Sequence, residues 1–506
     1  MRKIVCADRC AMLVFGACAA LLLAYVVFFP PLTGVADQND FSRMMYGLAY
    51  KDSEHYFSVQ RNVYVAEEYA LRPFPYQRLL GLPPALSPIY FIYPARILSQ
   101  AFGFAYFRLG ILAALAGAAY VVLMTALYGL LLPKKLPGRL LLGALLLFVF
   151  FDGGWLMWFY SLYGEPYLLI GLSCMAVCFL LCMRRALPLP ALIGLAAGCF
   201  MLAGAKMQAI VLYPVCAGML ICVWVSAFRR RGEIRRFGLK TLVAALALPA
   251  LLLYCFSVYM IMTNGRARTN RVTLYHSVMY GLLMDADDPA AVLTELGLDP
   301  GLAADAGRHS YLPESEYVYA PPKSGTMQRE FYDKIGNLTL VRYYLTHPAA
   351  LWRGMEYLAS QSLRSKSGLG KHTEAYPELV GRQEVRFSAW EGIRNALPKQ
   401  LWFLLLVCAA AAALSVTEYL RGENRAARPL CILVWFMLAA GVLQFPMPYL
   451  FNGRADTAKQ LFGFNYVFDI ALVAVIGFGA AAVARLIRYS ASRRTSSSRP
   501  VTQIPS

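Results

Sequence analysis

Ten predominantly apolar stretches recur along the 506 residues, near 11–29, 108–132, 139–152, 166–183, 187–205, 207–228, 239–262, 399–419, 429–447 and 465–487. A helix crossing a bilayer needs about 20 such residues, so the pattern predicts an all-α polytopic membrane protein with about ten transmembrane helices. The third run is short, and 187–228 divides at Lys206 because its 42 residues are too many for one crossing. Two long polar segments interrupt the runs. The first, 30–107, holds a part-apolar piece, 86–107, broken by Pro88, Pro94 and Arg96; it reads as interfacial or re-entrant rather than spanning. The second, 263–398, reads as a mainly helical outer subdomain. There Asp288-Pro289 fits an N-cap followed by proline at the first helical position, with Gly297 as the stop. Residues 327–347 and 349–363 are predicted as two further helices separated at His347-Pro348. The chain thus divides into a transmembrane module (1–262) that includes the 30–107 loop, the subdomain 263–398, a second transmembrane module (399–489), and a Ser/Arg-rich tail (490–506) expected to be disordered and cytoplasmic.

Composition removes the competing classes. With 59% hydrophobic and 15% charged residues, a soluble, disordered or disulfide-stapled secreted chain is excluded. A formal charge of +19 would suggest nucleic acid in a soluble protein, but here it tracks topology. With the N-terminus inside, the connections that return to the cytoplasm and the two chain ends hold 22 Lys/Arg against four acids; Lys134, Lys135, Arg139, Arg184, Arg185, Arg229–Arg231, Arg235, Arg236, Arg421, Arg425 and Arg428 are among them. The segment 263–398 has 15 of each sign. This bias in short connections predicts a multi-pass protein with both termini cytoplasmic and the long loops outside. Its partner is the lipid bilayer and not nucleic acid. The first run, behind Arg2, Lys3 and Arg9, resembles a signal peptide, but nine further spans favour an uncleaved anchor. All twelve cysteines lie in or beside apolar runs, so disulfides in the outer segments are not expected. Cys174, Cys178 and Cys182 share a helix face with no histidine nearby and read as apolar packing.

Candidate chemistry lies in acids at the outer mouths of the helices, where a carboxylate beside hydrocarbon is costly. Asp37, Asp40 and Arg43 follow the first run at a spacing of three, which places them on one side of a short helix. One carboxylate can take a proton from an acceptor hydroxyl while the other orients it or binds a divalent ion; a capped juxtamembrane helix with an i,i+3 ion pair accounts for the same residues. Asp152 and Glu165 flank Trp155, Trp158, Tyr160 and Tyr163, aromatic residues that can stack on a sugar or form an interfacial belt. Lys206 and Gln208 sit where two runs meet; Lys206 either snorkels or binds an anion. Arg266, Arg268, Arg271, Arg454 and Lys459 add outer charge able to clamp a lipid-linked phosphate, or else are solvated loop residues. Asp469, about one turn inside the last run, faces either the bundle or the interface. Asn337-Leu-Thr339 is a glycosylation triplet too short to interpret.

These features together resemble the GT-C superfamily of membrane glycosyltransferases. More narrowly, Gly34-Val-Ala-Asp37-Gln-Asn-Asp40-Phe41-Ser-Arg43, Ser161-Leu-Tyr163-Gly164-Glu165-Pro166, Lys206-Met-Gln208, Tyr275-His276 with the residues after it, Asp287-Asp288-Pro289 and Leu293-Thr-Glu-Leu-Gly297 are similar to bacterial WsfD-like glycan-biosynthesis hexosyltransferases. The resemblance implies a GT-C-like bundle in a bacterial plasma membrane and a polyprenyl-phosphate-linked hexose donor. It further implies transfer with inversion to a cell-envelope glycan or polymer, and an active site on the outer face. It carries a base or acceptor-orienting role onto Asp40 first and Asp37 second, and a second acidic role onto Asp152 or Glu165. Donor phosphate contacts fall to Arg43, Lys206, Gln208, Arg266, Arg268, Arg454 and Lys459, and sugar or acceptor stacking to Trp155, Trp158, Tyr160, Tyr163 and His276. A divalent cation, Mg or Mn, is a candidate cofactor at Asp37, Asp40 and Asp152. Where the superfamily commonly has adjacent acids this chain has Asp-Gln-Asn-Asp, which leaves the base and any metal dependence open. The alternative function is a lipid-linked glycan transporter or flippase, for which repeat symmetry and mid-membrane polar groups are expected.

Overall fold

A computed structural model describes residues 2–76, 87–184, 188–229, 237–263, 268–421 and 427–497. Each apolar run forms a helix: Arg2–Leu23, Leu109–Leu131, Leu136–Phe150, Glu165–Arg184, Leu189–Ala205, Tyr213–Arg229, Phe237–Thr263, Leu401–Arg421, Arg428–Gln444 and Phe462–Ser497. Among the described residues seven spans are long and apolar enough to cross a membrane. An eighth results if Leu136–Phe150 and Gly153–Phe159, bent by 49°, form one broken span. Leu189–Ala205 falls short because 17 residues rise only about 26 Å against a hydrocarbon thickness of about 30 Å. Glu165–Arg184 is apolar on every side and is buried on nearly every side, as such a helix must be. It packs against Leu189–Ala205, Leu109–Leu131 and Arg428–Gln444. Gly171 permits the first of these contacts, since a Cβ there would lie 2.8 Å from the Leu202 backbone nitrogen.

The bundle has two unlike ends. At one, short basic connections are tied by Arg139 to Asp8 at 2.6 Å and Arg485 to Glu418 at 2.5 Å. Arg185, Arg230, Arg231, Arg235, Arg236 and Arg425 lie outside the described residues. The other end carries both long loops. Of the part-apolar piece 86–107, the helix Ile89–Ala101 is described, with Pro94 inside it. Three short antiparallel strands, Leu48–Tyr50, Glu68–Leu71 and Phe107–Arg108, draw the first loop together, with Leu48 opposite Leu71 and Glu68 opposite Arg108. The sequence pattern did not signal them.

Within 263–398 the Asp288 cap accepts from the Ala291 N–H at 3.0 Å, and Gly297 takes φ +74° after Pro289–Glu295. The expected single helix over 327–347 is instead two, Gly325–Tyr332 and Asn337–Thr346, because Gly336 is extended and starts the second. Pro348–Gln361 follows. The core of this segment, with Tyr275, Leu293 and Phe331, is continuous with Leu404, Phe464 and Phe468 of the spans beyond it. The last helix runs to Ser497, into the expected disordered tail; beyond Gly479 neither Gly nor Pro occurs before Pro500 to end it. Residues 498–506 lie outside the described residues.

Candidate active site

Asp37 and Asp40 do not share a helix face. Asn39 adopts φ +78°, so only a 3-10 turn forms, Asp40–Arg43, and the two side chains part. Asp37 turns inward, 1% exposed. It accepts from the Phe41 N–H at 3.0 Å and from the hydroxyls of Tyr50 and Tyr56, which stack on each other. Burial pushes its carboxyl above the usual range against those hydrogen bonds. Asp40 turns outward, 3.3 Å from Arg43 and 2.5 Å from Lys459. Burial pushes Asp40 up, but Lys459 and Arg43 outweigh it and hold the carboxyl down at about 2.

Lys459 comes from the turn Thr457–Gln460 and is almost wholly buried. Besides Asp40 it donates to Gln38 Oε1 at 3.2 Å, lies 3.7 Å from Asp456 and stands 5.1 Å from the Tyr163 ring. Burial lowers its affinity for a proton, but the charges of Asp40, Asp456 and Glu165 more than restore it, so the amine is an ammonium. Glu165, fully buried at the start of its helix, pairs with Lys206 at 2.6 Å, leaving its second oxygen without a partner. Lys206 caps Leu189–Ala205 in extended conformation; Gly164 lets the two segments meet, because a Cβ there would fall 2.2 Å from the Ala205 carbonyl oxygen. The Lys206 charge reaches Asp40. Gln208 donates to the Gln460 carbonyl at 2.8 Å, fixing the Lys459 turn. Asp40, Arg43, Glu165, Lys206, Gln208 and Lys459, expected from sequence, therefore meet in one place, joined by Gln38 and Asp456, which sequence reasoning had not singled out.

The other expectations are corrected. Asp152 caps the short helix Gly153–Leu156 through the Gly154 N–H at 2.8 Å and accepts from the Glu391 N–H at 3.2 Å. It belongs to a separate buried network that no spacing in the sequence announced. In that network Glu391 accepts from the N–H groups of Ser365 and Lys366, and Arg394 donates to Asp469 at 2.7 Å. Asp469 thus faces the protein interior, bonded also to Trp390 at 2.9 Å and Trp155 at 3.2 Å. Trp155, Trp158, Tyr160 and Tyr163 are all core side chains, and Tyr160 borders open space only at the apolar groove described below. Their indole and phenol groups serve the protein instead: Trp158 donates to the Ser365 carbonyl at 2.9 Å and Tyr163 to the Ala36 carbonyl at 3.0 Å. His276 is likewise buried. Arg454 spends its guanidinium on Asp285 and on the Tyr357 ring at 4.3 Å. Arg266 lies outside the described residues, as does the side chain of Arg268. Among the described residues no three His, Cys, Asp or Glu side chains stand close enough to hold a metal ion; Asp37, Asp40 and Asp152 point in different directions, so a shared cation does not fit them.

An apolar groove of about 650 Å³ opens at a different place, lined by Phe28, Leu98, Phe102, Ile111, Leu115 and Tyr160, with Glu67 and Arg108 also on its wall.

A family model described as the YfdI N-terminal transmembrane domain matches residues 2–497. No curated protein and no solved structure matches the chain.

Proposed function

We propose, from the premise that the chain belongs to the YfdI N-terminal transmembrane domain family, that it is an integral membrane glycosyltransferase. It transfers a hexose from a polyprenyl-phosphate donor to a cell-envelope glycan on the outer face of a bacterial plasma membrane. The observation that carries this reading is the pairing of Asp40 with Lys459 and of Glu165 with Lys206, two acids and two little-exposed lysines, at the loop-bearing end of an apolar bundle. A lipid-linked donor arrives in the membrane plane, so its phosphate comes to this end without leaving the bilayer surface. Ammonium groups kept from water attract phosphate more strongly than exposed ones do. The apolar groove suits an isoprenoid chain.

In this reaction the acceptor hydroxyl attacks the anomeric carbon opposite the phosphate. The new carbon–oxygen bond forms as the bond to the phosphate oxygen breaks, and the configuration inverts. The hydroxyl proton passes to a carboxylate, and the electron pair leaves with the lipid phosphate, whose charge Lys459 and Lys206 stabilise. Asp40 receives the proton. Held at about 2 it is a weak base in the free protein, but a phosphate anion beside Lys459 competes for the ammonium and lets the carboxyl rise.

Asp40→Asn should lower consumption of polyprenyl-phosphate hexoses by purified protein about 10²- to 10⁴-fold, the usual worth of a positioned base, in protein that still folds but unfolds at a lower temperature because buried Lys459 loses its partner. Undiminished turnover removes Asp40 from the chemistry. Wild-type protein that moves the lipid-linked sugar across vesicles without consuming it replaces the enzyme by a transporter.

A further inference from the structure

A sugar ring is held in proteins by hydrogen bonds and by an aromatic face laid against its C–H groups. The rings of 155–163 are buried, with Tyr160 bordering only the apolar groove, so a face beside the paired lysines comes from elsewhere. Tyr311 is 72% exposed over the whole residue, while its hydroxyl end is partly enclosed: burial first, then the charges of Asp456 and Asp40, push its pKa up against Arg43 and Lys459. Exposed aromatic residues are common on protein surfaces, but this one is fixed from behind. Its neighbour Ser310 is buried, and the Ser310 N–H donates to His276 Nε2 at 3.0 Å, with the Ser310 hydroxyl at 2.9 Å. The other ring nitrogen, Nδ1, lies 3.1 Å from Asn452 Oδ1. Because Nε2 accepts, Nδ1 carries the hydrogen and donates to Asn452; burial holds the imidazole neutral, its pKa down at about 4. Gly453 seals the contact at φ +56°, where a side chain would strike the His276 carbonyl. One buried imidazole therefore ties the loop tip bearing Tyr311 to the segment that leads to Lys459. The rings of His276 and His309 flank Tyr311 at 5.4 and 6.2 Å.

We propose that Tyr311 is the stacking platform for the hexose at this site and that His276 is its positioning residue. This assignment rests on the glycosyltransferase reading above.

The test is binding of lipid-free hexose 1-phosphates to full-length protein in nanodiscs, followed by saturation-transfer NMR and titration. Wild type, Tyr311→Phe and Tyr311→Trp should show transfer to the sugar C–H protons. Tyr311→Ala should bind about tenfold more weakly, the scale of one aromatic contact, with unchanged thermal unfolding as expected for an exposed side chain. In turnover His276→Gln should raise KM for the donor and leave kcat nearly unchanged. Equal affinity for wild type and Tyr311→Ala, or no hexose phosphate bound by wild type, overturns the proposal. The underlying reading fails separately: binding that depends on Tyr311 in a protein that consumes no polyprenyl-phosphate hexose keeps the platform and removes the transferase.

Discussion

Asp37 and Asp40 are three residues apart and have opposite surroundings. Two tyrosine hydroxyls and an amide saturate Asp37 in the interior, while Asp40 meets two cations at the surface of the site. That difference makes a kinetic prediction. As the proposed base Asp40 works deprotonated, so activity should fall as pH drops through its pKa. The acid limb of kcat/KM, which reports the free protein, should lie near the value of about 2, and the limb of kcat, which reports the substrate complex, should lie higher because phosphate has engaged Lys459. Lys459→Met should raise the kcat/KM limb towards the ordinary carboxylate range. Coincident limbs for kcat and kcat/KM would mean that substrate does not release Asp40 from Lys459. At this scale the sequence marked charges that the structure brings together, for a physical reason: acids and amines beside apolar runs are costly, and Asp40, Glu165, Lys206 and Lys459 stand out on that ground alone. It gave no sign that Asp152, His276 and the aromatic run are buried, because exposure and hydrogen-bond partners depend on segments hundreds of residues away.

Among the elements, the connection 152–165 is the piece that everything else grips. Asp152 caps its first turn, Trp155 and Trp158 bond to distant segments, and Glu165 ends it at Lys206. The helix Ala389–Ala396 locks it from the side of the long loop, through Arg394 on Asp469 and over the Trp155 ring at 4.4 Å. Both partners of this ion pair are fully buried. Arg394→Leu, which strands the Asp469 charge, should therefore cost about 3–5 kcal/mol. Removing both charges in Arg394→Leu/Asp469→Leu should recover much of that loss. Denaturant unfolding in detergent measures both, and a double variant no better than the single one would show that the arginine acts by shape instead of charge. Helix positions and the 288–297 cap were legible from periodicity and capping residues. The three strands were not, since runs of two to four residues carry no readable alternation, and apolar spacing continues across Gly336, so periodicity alone does not show the break there.

For the whole molecule, the separation of basic connections from long loops gives the orientation a direct test. Lys135, exposed at one end, and Asp287, whose side chain is 96% exposed at the other, suit cysteine labelling in a background without the native cysteines. With an impermeant maleimide on intact cells, Asp287→Cys should react and Lys135→Cys should react only after lysis. The reverse pattern inverts the topology and places the site on the cytoplasmic face. The sequence by itself determined that the chain is helical and membrane-embedded, where its long apolar helices fall, and which connections carry its basic residues. Those properties are local, set by apolar length and by the cost of charge near hydrocarbon. Only the tertiary structure decided which charges meet. Asp40, Glu165, Lys206 and Lys459 come from four separated segments, and the pairing of Asp40 with Lys459 rests on a turn held by Gln208 and a left-handed Asn39. The burial of the aromatic run and the exposure of Tyr311 likewise follow from long-range packing, which no local spacing encodes.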